Sequence, residues 1–166
     1  MKDVENNSSN QQSDIKKSDN SKVDDTVRVS TTTIISKPIK TVWAFCVENH
    51  VINHPKWDED IKLEKIGSGP IRIGTKIRRT NTRYGKKVVG TQTVIGLEKY
   101  KSVTFEIVEG PSKSRGSMIF KAIDSNNTKL TSTFEAPGDS GMDKHKDLID
   151  QMIARSGKNI KELLEE

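Results

Sequence analysis

SVTFEIVEGPSKSRGSMIFKAIDSNNTKLTSTFEA, residues 102–136, reads as three β-strands, 102–109, 116–124 and 128–136, parted by Gly110-Pro111-Ser112 and Ser125-Asn126-Asn127. Glycine, proline, serine and asparagine supply turn geometry, each by its own backbone or side-chain chemistry. Side chains along a strand alternate between its two faces. Period two therefore groups Val103, Phe105 and Ile107 on one strand, Met118, Phe120 and Ala122 on the next, and Leu130, Ser132 and Phe134 on the last. Connections this short suit antiparallel neighbours, because parallel strands need long crossovers. The stretch is expected to form part of an antiparallel sheet with one apolar face.

The same pattern runs upstream. Strands are expected at 60–67, 73–83 and 87–98, punctuated by Gly67-Ser68-Gly69-Pro70, Tyr84-Gly85-Lys86 and Lys99-Tyr100-Lys101. Thr26 to Ile35 is β-branched almost throughout and reads as a first strand. Seven strands in series predict a meander. Between the first and second, Ser36 can cap a helix whose first turn holds Pro38. Ile39, Val42, Trp43, Cys46 and Val47 then follow helical spacing. His54 precedes Pro55, so helical geometry is expected to end there. Downstream, 141–164 reads as a long helix with a Ser140/Asp143 capping box and an apolar face of Ile149, Met152, Ile153, Ser156, Ile160, Leu163 and Leu164.

The 166 residues fit one domain, and apolar and charged residues each make up 31%. That average conceals a division. Residues 1–25 carry only Met1, Val4, Ile15 and Val23 as aliphatic groups and are expected to be a disordered polar tail. The domain is expected over 26–166. The tail's six acids and four lysines leave the domain at +7 against +5 for the chain, a field that favours anionic partners. Cys46 is the only cysteine, which precludes an intrachain disulfide. With no apolar run at the N-terminus and none long enough to span a bilayer, a cytoplasmic protein is expected.

Specific residues add a resemblance. Ser36-Lys37-Pro38-Ile39-Lys40-Thr41-Val42-Trp43 resembles the strand-to-helix signature of the START-like, or SRPBCC, superfamily. His54-Pro55-Lys56-Trp57-Asp58 is similar to its P-x-W segment, Gly69-Pro70 with Ile73-Gly74-Thr75 to its G-P…G-T hairpin, and Asn127-Thr128-Lys129-Leu130 to its entry into the last strand. The likeness covers 27–165 and is nearest the polyketide cyclase/dehydrase-like branch. It implies an α+β helix-grip fold, a curved antiparallel six- to seven-stranded sheet around a long C-terminal helix, with a cavity between them. The fold hosts carriers, cyclases and co-chaperones, so function must be argued from the site.

The resemblance makes the inward residues candidates for ligand contact: Trp57, Ile77, Phe105, Met118, Phe120, Phe134, Met152 and Ile153 as apolar wall, Arg79, Asn81 and Gln92 as polar groups. If Ile77 faces inward, Thr75, Arg79 and Asn81 do so too. An inward Arg79 needs a partner, either a ligand anion or Glu106, unless its hairpin projects into water. Gly157 in the long helix either leaves room for a ligand or marks close packing on the sheet.

Two further groups invite other readings. Lys65, Arg72, Lys76, Arg78, Arg79, Arg83, Lys86 and Lys87 have no acid among them from 65 to 97, which would suit nucleic acid, an acidic membrane or a protein partner. One aromatic, Tyr84, gives no stacking platform for bases, so a solvated hairpin is the default. Cys46, His50 and His54 could share a helical face as metal ligands. They lack a fourth ligand, and the simpler arrangement is a buried Cys46 with two exposed histidines, so neither metal nor cofactor is expected. No nucleophile elbow, phosphate-binding loop or carboxylate pair is present, which leaves catalysis open. The expectation is binding of a small hydrophobic or amphipathic molecule, lipid included, with carriage or cyclase-like conversion as its forms and an anionic macromolecule as the alternative. Ligand identity and oligomeric state do not follow from the residues.

Overall fold

The computed structural model describes residues 26–83 and 85–166. The polar tail expected over 1–25 lies outside the described residues. Seven strands form one antiparallel sheet: β1 (Val27–Ile35), β2 (Ile61–Ile66), β3 (Lys76–Asn81), β4 (Val88–Glu98), β5 (Ser102–Glu109), β6 (Ser112–Asp124) and β7 (Asn127–Ala136). Their order, β1-β7-β6-β5-β4-β3-β2, corrects the simple meander: β1 pairs with β7 at the far edge, Val29 opposite Phe134. The reason lies in the intervening helices, which cross from one sheet edge to the other.

Those helices are α1 (Ile39–Trp43), a π-turn (Ala44–Glu48) and α2 (His50–Trp57). Pro38 rather than Ser36 occupies the capping position of α1, and its carbonyl accepts from the Thr41 and Val42 N–H groups. The π-turn is held by asparagines. Both the backbone N–H of Asn49 and its Nδ2 donate to the Ala44 carbonyl, at 2.9 and 3.1 Å, and Asn53 Nδ2 donates to the Phe45 carbonyl at 2.9 Å. The helix does not end before Pro55, as the sequence predicts. The proline removes one donor, but the Asp58 N–H closes the last turn on the His54 carbonyl at 3.0 Å. Stacking of His54 on Trp57, with centroids 5.0 Å apart at 15°, holds that turn.

Two short 3-10 turns, Gly138–Ser140 and Met142–His145, precede α3 (Lys146–Glu165). No side chain caps α3, so the expected capping box is not formed, and Ser140 Oγ instead accepts from the Met142 N–H at 3.3 Å. α3 packs across β1 and β7 and touches α2. Ile149, Ile153, Gly157 and Ile160 are its buried residues. No helix among the described residues is long and apolar enough to cross a membrane.

The main core gathers Ile35, Val42, Trp43, Cys46, Val47, Ile77, Val94, Val103, Phe120 and Leu130. Two residues expected at the cavity lie in this core without bordering it: Ile77 is fully buried, and Phe120 packs edge-on against Trp43, ring centroids 5.1 Å apart. Both face inward as expected, and Phe120 lies under Trp43 of α1. Ala122, in phase with Phe120, is exposed beside the irregularity in the β6–β7 pairing.

Gly157 also departs from its ligand reading. A Cβ there would stand 2.5 Å from Thr33 Oγ1 on β1, so the glycine permits close helix–sheet contact. Gly157→Ala is therefore expected to destabilise by up to about 2 kcal/mol, because overpacking exceeds the helix-propensity gain of about 1 kcal/mol. In a Thr33→Ala background the same change should be neutral or stabilising. Equal effects in both backgrounds, measured by urea denaturation, would remove Thr33 as the cause.

A cavity between sheet and helix

A cavity of about 320 Å³ lies between the concave sheet face and α3. One wall is apolar: Trp57, Phe105, Ile107, Met118, Phe134, Met152 and Ile153. Its width comes from small inward residues on β6 and β7, namely Ser114, Gly116 and Ser132. Gly116 lies opposite both Phe105 and Phe134 and borders the cavity, so a side chain there would enter it. Of the residues singled out in the sequence, nine border the cavity: Trp57, Arg79, Asn81, Gln92, Phe105, Met118, Phe134, Met152 and Ile153. Ile77, Phe120 and Gly157 do not.

The opposite end is polar. Thr75, Ile77, Arg79 and Asn81 are all buried, as period two requires. Arg79 finds its partner in Glu109, not Glu106: Nε donates to Glu109 Oε1 at 2.8 Å and Nη1 to Gln92 Oε1 at 2.9 Å. Asn81 Nδ2 donates to Glu109 Oε2 at 3.2 Å. Glu106 points to the outer face, where Lys113 lies 3.5 Å away. Glu109 continues the inward series 103, 105, 107, and that series was its signal in the sequence. Arg83 pairs with Asp58 at the mouth, with Asp60 3.7 Å away. Burial lowers the pKa of Arg79 and the charge of Glu109 opposes the shift.

Two of the eight cations in the basic stretch, Arg79 and Arg83, are thus consumed by internal ion pairs. Arg78 and the lysines of the hairpin stay exposed.

The histidines also differ from expectation. His50 is buried, not exposed, and stacks on Phe105 at 4.5 Å between centroids. Its Nδ1 lies 2.9 Å from the Cys46 carbonyl oxygen and its Nε2 2.9 Å from Gln92 Nε2. Burial pulls its pKa down to about 4, against the bond to Cys46, and the Arg79 charge adds to the fall. Burial pushes the Cys46 thiol well above its ordinary value, which keeps it protonated and inert. Among the described residues no three metal-binding groups converge.

Beside the cavity lies a more polar cleft of about 510 Å³ between the end of α2 and α3. Trp57, Asp58, Arg83, Ile149, Met152 and Ser156 border both spaces, so the two adjoin.

No family model matches the sequence, and no curated protein does. Solved structures do match. An aromatase/cyclase, Zhui, from Streptomyces sp. R1128 superposes with TM-score 0.65 at 16% identity over 84% of this chain and 94% of that one. Norcoclaurine synthase from Thalictrum flavum, in complex with dopamine and hydroxybenzaldehyde, gives 0.65 at 14%, over 86% and 90%. Ara h 8.0201 gives 0.66 at 15%, over 84% and 97%. At such identities the likeness establishes the architecture alone. What the chain shares with these structures is the helix-grip fold, a seven-stranded antiparallel sheet around a long C-terminal helix.

Proposed function

We propose that the protein binds a small hydrophobic or amphipathic molecule in this cavity and carries it or converts it in a cyclase-like way. The observation that carries the reading is the two-sided cavity: about 320 Å³, aromatic and aliphatic on one wall, with Arg79, Asn81 and Gln92 at the other end. Small-molecule sites span about 300–1,000 Å³ and pair apolar walls with a few placed polar groups. The volume falls at the low end, suited to one or two fused rings. A synthase holding two small aromatic molecules on this fold supports the same reading. Conversion in such a site relies on holding a reactive substrate in shape beside one polarising cation, and Arg79 supplies that cation.

Gly116→Leu tests the site without touching its polar end. A Cβ at Gly116 meets nothing closer than Ile107 Cδ1 at 3.8 Å, so the substitution fills the cavity with little strain on the sheet. Binding of 2-naphthol, followed by its fluorescence, is expected in the parent protein and at least about tenfold weaker in Gly116→Leu. The melting temperature should change by no more than a few degrees. No binding in the parent, or equal binding in both, would overturn the reading. Native mass spectrometry followed by denaturing extraction identifies what the cavity holds after purification.

A further inference from the structure

Arginine only donates hydrogen bonds, and this orients every group along a chain at the polar end of the cavity. Arg79 Nη1 faces Gln92 Oε1 at 2.9 Å, so the amide NH2 of Gln92 points the other way. That NH2 lies 2.9 Å from His50 Nε2, which must accept. A neutral imidazole with a bare Nε2 carries its proton on Nδ1. His50 Nδ1 indeed lies 2.9 Å from the Cys46 carbonyl oxygen, an acceptor needing that proton. His54 Nδ1 stands 3.1 Å from the same His50 Nε2, where a bare Nδ1 would set two lone pairs against each other, so it carries the proton and shares the one His50 lone pair with the Gln92 amide. The His54 proton is thereby fixed on Nδ1, and its Nε2 keeps a lone pair.

Three further observations give that lone pair a role. Every sealed side-chain polar atom among the described residues has a partner; His54 Nε2 has none, so it meets open space, and His54 borders the cavity. Its ring is held flat on Trp57 at 5.0 Å. It is also neutral, since burial, then His50 and the charges of Arg79 and Arg83, hold its pKa well below the ordinary value.

We propose that His54 Nε2 is a fixed hydrogen-bond acceptor in the cavity wall that selects ligands presenting a hydroxyl group, phenols and enols above all. The inference rests on the reading of the cavity as a ligand site. A neutral imidazole lone pair binds an O–H and rejects an ether or a carbonyl, which bring no proton. The aromatic faces of Trp57, Phe105 and Phe134 suit a planar ligand. An acidic hydroxyl donates the stronger hydrogen bond to such a lone pair, so phenols and enols are preferred over aliphatic alcohols.

Two measurements test this. Long-range 1H–15N NMR of the histidines at pH 7 should show both His50 and His54 neutral and protonated on Nδ1. A His54 ring protonated on Nε2, or on both nitrogens, overturns the proposal. The parent protein should bind 2-naphthol about tenfold more tightly than 2-methoxynaphthalene. His54→Phe, which keeps the ring stack, should bind the ether as the parent does and lose the preference. Equal binding of the two by the parent, or an unchanged preference in His54→Phe, sinks the proposal and leaves the cavity reading intact. Failure of both compounds to bind sinks the cavity reading, and the proposal with it.

Discussion

Replacing Arg79 with leucine is expected to cost about 3 kcal/mol of stability and to lower the melting temperature by about 10 °C. The guanidinium is buried, and its removal leaves the Gln92 oxygen without a donor and the Glu109 charge with the Asn81 amide alone. The figure belongs at the low end of the range for broken buried pairs because the Glu109 side chain is 17% exposed. Arg79→Leu with Glu109→Leu should recover at least half of the loss, since no buried charge then remains unpaired. A single substitution costing under about 1 kcal/mol, with no recovery in the double variant, would mean the pair is fully hydrated. An apolar pair would thus serve the fold about as well. What the ion pair adds is a cation held still at one end of an apolar space, consistent with the ligand reading.

Acidification should weaken the fold by a comparable amount. The native state keeps His50 neutral down to about pH 4, whereas the unfolded chain protonates it near 6.5. Between those values the unfolded chain binds more protons, so stability falls as the pH drops from 6.5 to 4. The separation corresponds to about 3 kcal/mol. His54, also held neutral, adds in the same direction. Urea midpoints at pH 7, 5.5 and 4.5 should decline in the parent and decline much less in His50→Gln, which keeps an acceptor for Gln92. Parallel declines in the two proteins would assign the acid sensitivity to the carboxylates.

The sheet was readable because its signals are local. Turn residues marked the hairpins, and period two grouped Phe105, Met118 and Phe134 on the inner face and tied Arg79 and Asn81 to the facing of Ile77. Two things were not local. Depth along a strand decides whether an inward side chain meets helix or cavity, so Ile77 and Arg79 share a face but not a fate. The π-turn over Ala44–Glu48 adds a residue that 3.6-residue spacing cannot anticipate, and it carries His50 and His54 to the polar end of the site. Asn49 and Asn53, whose side chains hold that turn, were its sequence signal. Gly157 showed the limit of composition: a helical glycine reads alike over a void and over a tight contact, and only Thr33 distinguishes them.

The pairing of β1 with β7 sets a schedule for synthesis. Arg28 and Glu135, joined across those strands, are 107 positions apart. At 5–20 residues per second the first strand to leave the ribosome waits roughly 5–20 s for its neighbour. Meanwhile β2 to β6 can zip hairpin by hairpin, but Val27, Val29 and Ile35 stay uncovered until β7 and α3 arrive. The chain is most exposed to proteases and chaperones in that interval. Substitutions in β1 should therefore reduce the yield of folded protein in cells more than they reduce its equilibrium stability.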